Sequence, residues 1–352
     1  MVLCLFIAYV IIYFSTFKGL KSTSAVNYVT VPLPYIMLTL LLIKGVTLPG
    51  ASIGLKFLFY PDWSKLGNLK VWEDAIVQIA YSSGISFGPL MLYGSARKPE
   101  EKLISSCIWL PLINSASSIY AALTIFSFLG YISHTLDIPL SEISDGGLDL
   151  AFIAYPGLLT MLSWSNFWSV LFFIMLITIG VDSIFGAYEF AMLYMYEMFP
   201  KLREMYSKEI FCLIMSIVYF LVGLIFTLNS GYWIFELFNF YSAGLTLVFL
   251  MIVESVMIAW VFGIDNLEKI LTEKTGETFP AYAKFMMKFF APTLMFVILC
   301  IGFYNEFKTN QLNLPTWGLV LARSLIFVPL GCCLLGLFFR IKTPSISDII
   351  KK

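Results

Sequence analysis

Two carboxylates lie deep in a long apolar stretch of the 352-residue chain. Asp182 and Glu189 belong to the segment TIGVDSIFGAYEF, and their spacing places them on nearly the same face of a helix. A carboxylate in the middle of a bilayer costs about 2.5 to 3.5 kcal/mol and by default marks a functional site. Asp182 with the Ser183 hydroxyl would form a small oxygen-rich cation site. Glu189 is interpreted as a structural acid bonded to the backbone.

A second group of polar residues interrupts an earlier apolar stretch. The segment QIAYSSGISFG holds small and polar residues at a density that weakens a helix, from Gln78 to Gly88. A discontinuous helix there would present carbonyl groups and a half-helix end to a ligand at the middle of the membrane. The alternative is a small-residue face for helix packing. Composition alone does not distinguish the discontinuous helix from the packing face.

Two neighbouring stretches each offer an amide and a hydroxyl one helical turn apart. Gln78 and Ser82 form one such pair, and Asn114 and Ser118 in LINSASSIY form the other. Amide and hydroxyl oxygens suit Na⁺, whereas amide and hydroxyl hydrogens suit Cl⁻. The alternative is hydrogen bonding between helices, which the spacing alone favours.

Three further polar residues lie within apolar stretches. Glu254, Asn239 and Arg323 are predicted to be paired or hydrogen bonded inside the protein rather than to bind a ligand.

The composition is that of a polytopic membrane protein. Apolar residues make up 59% of the chain and charged residues 12%, and the mean hydropathy is +0.87. Basic and acidic residues balance at 22 each, so no excess charge points to nucleic acid. A single histidine and six scattered cysteines argue against the usual haem, zinc and iron–sulfur enzymes. No nucleophile–base pair is visible, so we predict that the chain is not an enzyme.

Long apolar runs predict about nine membrane spans. They cover residues 2–17, 29–49, 72–94, 103–131, 167–199, 210–228, 232–262, 288–303 and 317–339. Sixteen Lys and Arg residues fall in one set of alternate loops with the tail, and four in the other set. This bias predicts a cytoplasmic tail at 341–352 and an extracellular loop with short helices at 132–166. An odd number of spans then places the N-terminus outside, as expected of a protein that lacks its front.

Several segments together resemble the sodium- and chloride-dependent neurotransmitter transporter family, also called the neurotransmitter:sodium symporters. The segments that match are KGLKSTSAVNYVTVPLPYIMLTLLLIKGVTLPGA, VWEDAIVQIAYSSGISFG, INSASS, LAFIAYPGLL, FWSVLFFIMLITIGVDSIFGAYE, LFNFYSAG and VESVMIAWVFGID, in family order and spacing. The resemblance implies an all-α, inverted-repeat, leucine-transporter-like bundle. It also implies a single transmembrane domain over 1–352 that corresponds to family helices four to twelve. The chain would be N-terminally truncated, without the first three.

The resemblance also implies a set of binding residues. Ser82 and Asn114 would bind the first sodium ion, and the Ile179 carbonyl with Asp182 and Ser183 the second. The implied chloride ligands are Gln78, Ser82, Asn114 and Ser118. The implied substrate contacts are Tyr81, Ser82, Phe87, Ser183 and Gly186. At Asn239 the family often has an acid that serves as one half of an outer gate, so that gate is not expected here.

The function implied is secondary active symport of an amino-acid-like or neurotransmitter-like solute with Na⁺ and Cl⁻, without an organic cofactor. The expected location is the plasma membrane, as a multi-pass protein in the lipid bilayer. Whether it forms homo- or hetero-oligomers stays open. The alternative is a transport-inactive, truncated family member that acts as a partner or regulator of full-length transporters.

Overall fold

The computed structural model describes residues 1–98, 101–143, 150–308 and 316–338, and no β-strand occurs in these ranges. The α-helices are α1 (Val2–Thr16), α2 (Leu20–Thr30), α3 (Pro32–Val46), α4 (Ala51–Phe59), α5 (Leu69–Ser82), α6 (Pro89–Ser95), α7 (Leu103–Leu136), α8 (Leu140–Ile143), α9 (Tyr155–Thr160), α10 (Ser165–Met198), α11 (Pro200–Met205), α12 (Lys208–Gly223), α13 (Gly231–Ala243), α14 (Leu245–Val256), α15 (Ile264–Thr275), α16 (Ala281–Phe285), α17 (Ala291–Lys308) and α18 (Thr316–Phe338). Short π-helical turns adjoin α9, α14 and α17. The predicted all-α class is confirmed.

Seven helical stretches in the described part of the chain are long and apolar enough to cross a membrane. The longest single α-helices among them are α7 and α10, with 34 residues each, or about 50 Å at 1.5 Å per residue. Of the nine predicted spans, the first corresponds to the shorter apolar helix α1, with 15 residues. The third corresponds to the separate helices α5 and α6.

Of the two alternatives left open for the third span, the discontinuous helix is the one present. Helix α5 ends at Ser82 and α6 begins at Pro89, and three residues between them have positive φ: Gly84 at 68°, Ser86 at 63° and Gly88 at 95°. Two of these are glycines, which adopt such angles without steric cost. The chain therefore leaves the α-helix over residues 83–88 inside an apolar region, where its backbone groups become available to a site.

The chain forms two compact units. Unit 1 comprises Met1–Asp62 and Ser115–Gly223, and unit 2 comprises Trp63–Asn114 and Leu224–Lys352. Helix α7 passes from unit 2 into unit 1 at residue 115. The prediction of a single transmembrane domain stays a prediction.

Unit 1 is built on two apolar clusters. In the first, α3, α7, α9 and α10 bury Leu41, Phe128, Leu159 and Phe172. In the second, α1, α10 and α12 bury Ile12, Phe185, Met192 and Cys212. Helix α10 contributes to both clusters, so its two ends are held by different partners and its orientation within unit 1 is set.

Glycines let α4 and α7 approach backbone to backbone within unit 1. A Cβ atom at Gly54 would lie 1.7 Å from the Phe126 carbonyl oxygen, and one at Gly130 would lie 2.5 Å from the Gly50 carbonyl oxygen. No side chain fits at either position without moving a backbone.

Unit 2 is held by smaller apolar clusters along α14 and α17. Val248 on α14 packs against Ile298 and Leu299 on α17, and Leu247 packs with Ala80 of α5. A third cluster joins Leu237 and Tyr241 of α13 with Ala322 and Ile326 of α18. Helix α5 is thereby fixed against α14 and α17, which places the discontinuity after Ser82 inside unit 2.

Short helices occur in the loop 132–166, as predicted: α8, a π-helical turn at Leu150–Ala154, and α9. Residues 144–149 of this loop, and the predicted cytoplasmic tail at 341–352, lie outside the described residues.

Candidate functional site

The face of α10 predicted to bind a cation lines a cavity of about 550 Å³ in unit 1. Ile179, Asp182 and Ser183 all contribute to its wall. Positions i, i+3 and i+4 share one face of a helix, which is why these residues face the same space. The structure thus brings together the predicted members of the second sodium site.

Asp182 has an unsatisfied oxygen in this cavity. Its Oδ1 atom is buried and has no hydrogen-bond partner within the residues the structure describes. The Thr30 side chain lies beside the carboxylate, and its hydroxyl donates to the Val26 carbonyl oxygen at 3.2 Å. Thr30 is the last residue of α2, and Pro32 begins α3, so the break between these helices delivers the hydroxyl to the aspartate.

The Ser183 hydroxyl donates to the Ile179 carbonyl oxygen at 2.9 Å. Because a hydroxyl hydrogen can rotate, both oxygens can turn toward a cation together with Asp182. Carboxylate, carbonyl and hydroxyl oxygens are the ligand types that hard cations take. The arrangement therefore fits a small cation.

The remainder of the cavity wall is largely apolar. The ring of Tyr155 stacks on that of Phe172 with centroids 5.1 Å apart. Tyr155 is buried, and its hydroxyl has no hydrogen-bond partner among the described residues. Sequence reasoning missed Tyr155 and Thr30, although a proline follows each of them within two residues, a signal of helix breaks near the site.

Glu189 was interpreted as an acid bonded to the backbone, but its partner is a side chain, and its Oε1 has no hydrogen-bond partner among the described residues. The Thr23 hydroxyl donates to Glu189 Oε2 at 2.9 Å, so the acid is bonded to a side chain rather than to the backbone. Glu189 is buried and belongs to unit 1, as does Thr23. Thr23 carried no sequence signal because it lies in a polar stretch at a span boundary.

In unit 2 the residues predicted for the first sodium site are in contact. Asn114 Nδ2 donates to Ser82 Oγ at 2.9 Å and to Ser83 Oγ at 3.3 Å. The Ser82 hydroxyl in turn donates to the Ile79 carbonyl oxygen at 3.3 Å. Ser83 was not among the predicted ligands, although it follows Ser82 directly.

The discontinuity between α5 and α6 is stabilised from α14. Ser86 Oγ donates to Glu254 Oε2 at 2.7 Å. A positive φ is unfavourable for serine, and this charge-assisted hydrogen bond offsets that cost. Glu254 is therefore hydrogen bonded inside the protein, as predicted.

The two aromatic residues predicted to contact substrate meet across the same discontinuity. The rings of Tyr81 and Phe87 are 5.5 Å apart in an edge-to-face arrangement. Gly186 is buried on α10 in unit 1, beyond Ser183. Ser183 and Gly186 thus lie in one unit and Tyr81, Ser82 and Phe87 in the other.

The predicted chloride ligands are distributed over both units. Gln78 and Ser82 lie one turn apart on α5, and Asn114 and Ser118 lie one turn apart on α7. Asn114 is the last residue of α7 that belongs to unit 2, and Ser118 belongs to unit 1. Because the Asn114 amide group already donates to Ser82, chloride binding by these residues would require their hydrogens to be redirected.

The sequence model of the sodium:neurotransmitter symporter family matches residues 1–343. The sodium- and chloride-dependent GABA transporter 2 of Rattus norvegicus is 37% identical over 352 residues, which cover 97% of this chain and 58% of that protein. The sodium- and chloride-dependent glycine transporter 2 of Xenopus laevis is 34% identical, covering 94% and 42%. The sodium- and chloride-dependent taurine transporter of Canis lupus familiaris is 34% identical, covering 96% and 56%. The chain thus spans about half the length of the curated relatives it matches.

Proposed function

Because the chain belongs to the sodium:neurotransmitter symporter family, we propose that it carries out sodium-coupled symport of a small amino-acid-like solute, with chloride as a second coupling ion. The observation that carries the proposal is the cavity-facing side of α10. There, Asp182 keeps a buried carboxylate oxygen without a partner in the described chain, beside the Ser183 hydroxyl and the Ile179 carbonyl.

We assign one proposed sodium site to each of the two units. In unit 1, Asp182, Ser183 and the Ile179 carbonyl hold one sodium ion. In unit 2, Ser82 and Asn114, which are already hydrogen bonded, contribute to the other. Gln78, Ser82, Asn114 and Ser118 form the proposed chloride set. The solute is contacted by Tyr81, Ser82, Phe87, Ser183 and Gly186.

The energy for uphill transport comes from the ions. Each charge that crosses 100 mV releases about 2.3 kcal/mol, so two net charges can drive a solute uphill by roughly three powers of ten. Coupling requires that sodium favour the outward-open state in which solute binds. The site must then close on the outside before it opens on the inside.

The proposed location is the plasma membrane, with a cytoplasmic C-terminus. The second proposal, from a different class, is a transport-inactive protein that associates with full-length transporters of the family. The two differ in whether this chain moves solute unaided.

Uptake of radiolabelled GABA, glycine and taurine, with and without sodium, tests the proposal in cells that express the 352-residue chain. Surface biotinylation first establishes that the chain reaches the plasma membrane. We expect uptake of at least one of the three solutes, dependent on sodium and reduced when gluconate replaces chloride. Equal uptake with and without sodium, at normal surface expression, would contradict symport by this chain, and co-expression with a full-length relative would then test the regulatory alternative.

A further inference from the structure

Two π-helical turns meet on the surface of unit 2. The first, Met257–Gly263, follows α14, and the second, Met286–Phe290, precedes α17. They pack against each other within unit 2. Turns of this kind often occur at functional sites. The surface formed there by Trp260, Lys288 and Phe289 is named the π-turn surface.

The side chains of the π-turn surface hold one another in place. The Trp260 indole N–H donates to the Lys288 carbonyl oxygen at 2.8 Å. The rings of Trp260 and Phe289 lie edge to face, with centres 5.5 Å apart. Lys288 Nζ lies 5.8 Å from the centre of the Trp260 ring and 5.7 Å from that of Phe289. The ammonium group therefore has a defined position beside two aromatic rings.

The charge of Lys288 is not neutralised by a carboxylate of the described chain. None of the ion pairs between described residues includes Lys288. Lys284, one helical turn earlier, differs because it pairs with Glu268. An ammonium group has three hydrogen-bond donors. The Lys288 ammonium group is thus available to an anion that comes from outside the described chain.

The rings beside this charge are exposed. Trp260 is 55% exposed, Phe289 45%, and Phe285, one turn before Phe289, 56%. Lys288 lies near the start of the helical stretch 281–308, which is long and apolar enough to cross a membrane. Tryptophan and lysine at the end of a span lie at the level of the lipid headgroups. Lys288 also falls in the set of loops predicted to be cytoplasmic, and the cytoplasmic leaflet holds anionic lipids.

A ligand that matches the π-turn surface needs both a negative charge and a hydrocarbon part. A free phosphate ion would pair with Lys288 but leave the rings uncovered. A zwitterionic lipid would cover the rings, but its own ammonium group offsets the charge of its phosphate. We propose that the π-turn surface binds one anionic phospholipid, whose phosphate accepts a hydrogen bond from Lys288 Nζ and whose acyl chains cover the rings of Trp260 and Phe289. This inference goes beyond the proposed symport, since it requires neither a sodium gradient nor movement of solute.

Native mass spectrometry of the purified full chain, titrated in detergent with phosphatidylglycerol, tests the proposal. Phosphatidylcholine with the same acyl chains is the comparison lipid, because it carries no net charge. We expect the first phosphatidylglycerol molecule to bind more tightly than the first phosphatidylcholine molecule. Lys288→Gln should weaken phosphatidylglycerol binding about fivefold, the change expected when one lysine near an anionic lipid loses its charge. Lys288→Arg keeps the charge and should bind this lipid as the unmodified chain does.

Lys308→Gln is the matched control. Lys308 Nζ also lies over an aromatic ring, 5.5 Å from the centre of Tyr304, but at the opposite end of α17. This variant should bind phosphatidylglycerol as the unmodified chain does. The proposal is overturned if the unmodified chain binds the two lipids equally, or if Lys288→Gln binds phosphatidylglycerol as tightly as Lys308→Gln does. It is also overturned if glycerophosphoglycerol, the headgroup without acyl chains, displaces the lipid at equal concentration, because the rings would then contribute nothing.

Discussion

At the scale of single residues, the two carboxylates of α10 differ in their surroundings, because only Asp182 lines the cavity of unit 1. Glu189 accepts a hydrogen bond from Thr23 at Oε2 and has the Lys208 charge nearby, while its buried Oε1 has no hydrogen-bond partner among the described residues. Asp182 has the Thr30 hydroxyl on one side and an unpartnered, buried Oδ1 on the other, as far as the structure describes the chain. Of the two, Asp182 lines the cavity beside α10, and this access makes it the better candidate for ion binding.

The prediction at this scale concerns Asp182→Asn. The substitution keeps the shape of the side chain and removes its charge, so the affinity of the site for sodium should fall by about tenfold to a hundredfold, since interactions with charged groups contribute about 1.5–3 kcal/mol. The measurement is the sodium concentration for half-maximal uptake, with surface expression checked in parallel.

Asp137→Asn is the matched control for Asp182→Asn. Asp137 is an exposed carboxylate of the same unit, and asparagine tolerates its positive φ of 55°. We expect no change in sodium dependence in this variant. An unaltered sodium dependence in Asp182→Asn as well would remove Asp182 from the cation site.

At the scale of elements, close helix contacts decide where substitutions are tolerated. The α4–α7 crossing allows no Cβ at Gly54, because the nearest atom is a backbone oxygen 1.7 Å away that cannot rotate aside. Gly180 on α10 is different, since a Cβ there meets nothing within 4 Å. A side chain is therefore tolerated at Gly180 but not at Gly54, although both glycines belong to unit 1.

We predict that Gly54→Ala destabilises the protein by about 1–3 kcal/mol, the usual cost of overpacking, while Gly180→Ala does not. Thermal unfolding of the purified variants in detergent, followed by the loss of the monodisperse peak in size-exclusion chromatography, measures the difference. Equal midpoints for the two variants would show that α4 and α7 are not in the close contact described.

A second element-scale prediction concerns the start of α7. Glu277 Oε2 accepts from the backbone N–H groups of Leu103 at 2.6 Å and Ile104 at 3.1 Å, which are otherwise unsatisfied at a helix N-terminus. Glu277→Ala should therefore cost about 1–2 kcal/mol in stability, the range for lost N-caps. The same thermal assay measures it. Glu273→Ala, which removes an exposed acid from α15, should leave the midpoint unchanged, and a Glu277→Ala midpoint equal to it would refute the capping role.

At the scale of the whole molecule, the distribution of Lys and Arg predicts the orientation of the helices. Sixteen of these residues fall on the side predicted to be cytoplasmic, against four on the other. Arg203 lies in the predicted cytoplasmic set, and Asp137 in the predicted extracellular loop. The long helices are long and apolar enough to cross a membrane, but their length does not show which loops face the cytoplasm.

Epitope tags inserted after Asp137 and after Arg203 test this orientation. In intact cells we expect antibody to stain the tag at Asp137 only, and in permeabilised cells to stain both. Staining of the Arg203 tag in intact cells would mean that the positive-inside bias does not set the topology of this chain.

The apolar runs were enough to predict helices and most spans. A span in lipid needs apolar side chains along its length and a helix to satisfy its backbone hydrogen bonds. The break after Ser82 was one of two alternatives that the sequence left open, because glycines and serines at that density disfavour a continuous helix but also form packing faces. The extent of the first span was overestimated slightly, because apolar character continues through Phe17 while α1 ends at Thr16.

Contacts between residues far apart in the chain were harder to predict from the sequence. Asn114 and Ser82 were grouped by resemblance to a family, and their spacing alone favoured ordinary helix packing. Thr30, Thr23 and Tyr155 were missed, because nothing in a single threonine or tyrosine shows which helix it will face.

The sequence by itself determined the helical class, the membrane setting and the shared face of Ile179, Asp182 and Ser183, because these depend on hydropathy and on the period of a single helix. Only the tertiary structure decided that Thr23 is hydrogen bonded to Glu189 and that Asp182 lines a cavity. It also decided that Glu73 and Glu306 line one cavity. Such contacts depend on how separate helices pack within each unit, and the packing is set by the sum of many side-chain contacts rather than by any local pattern.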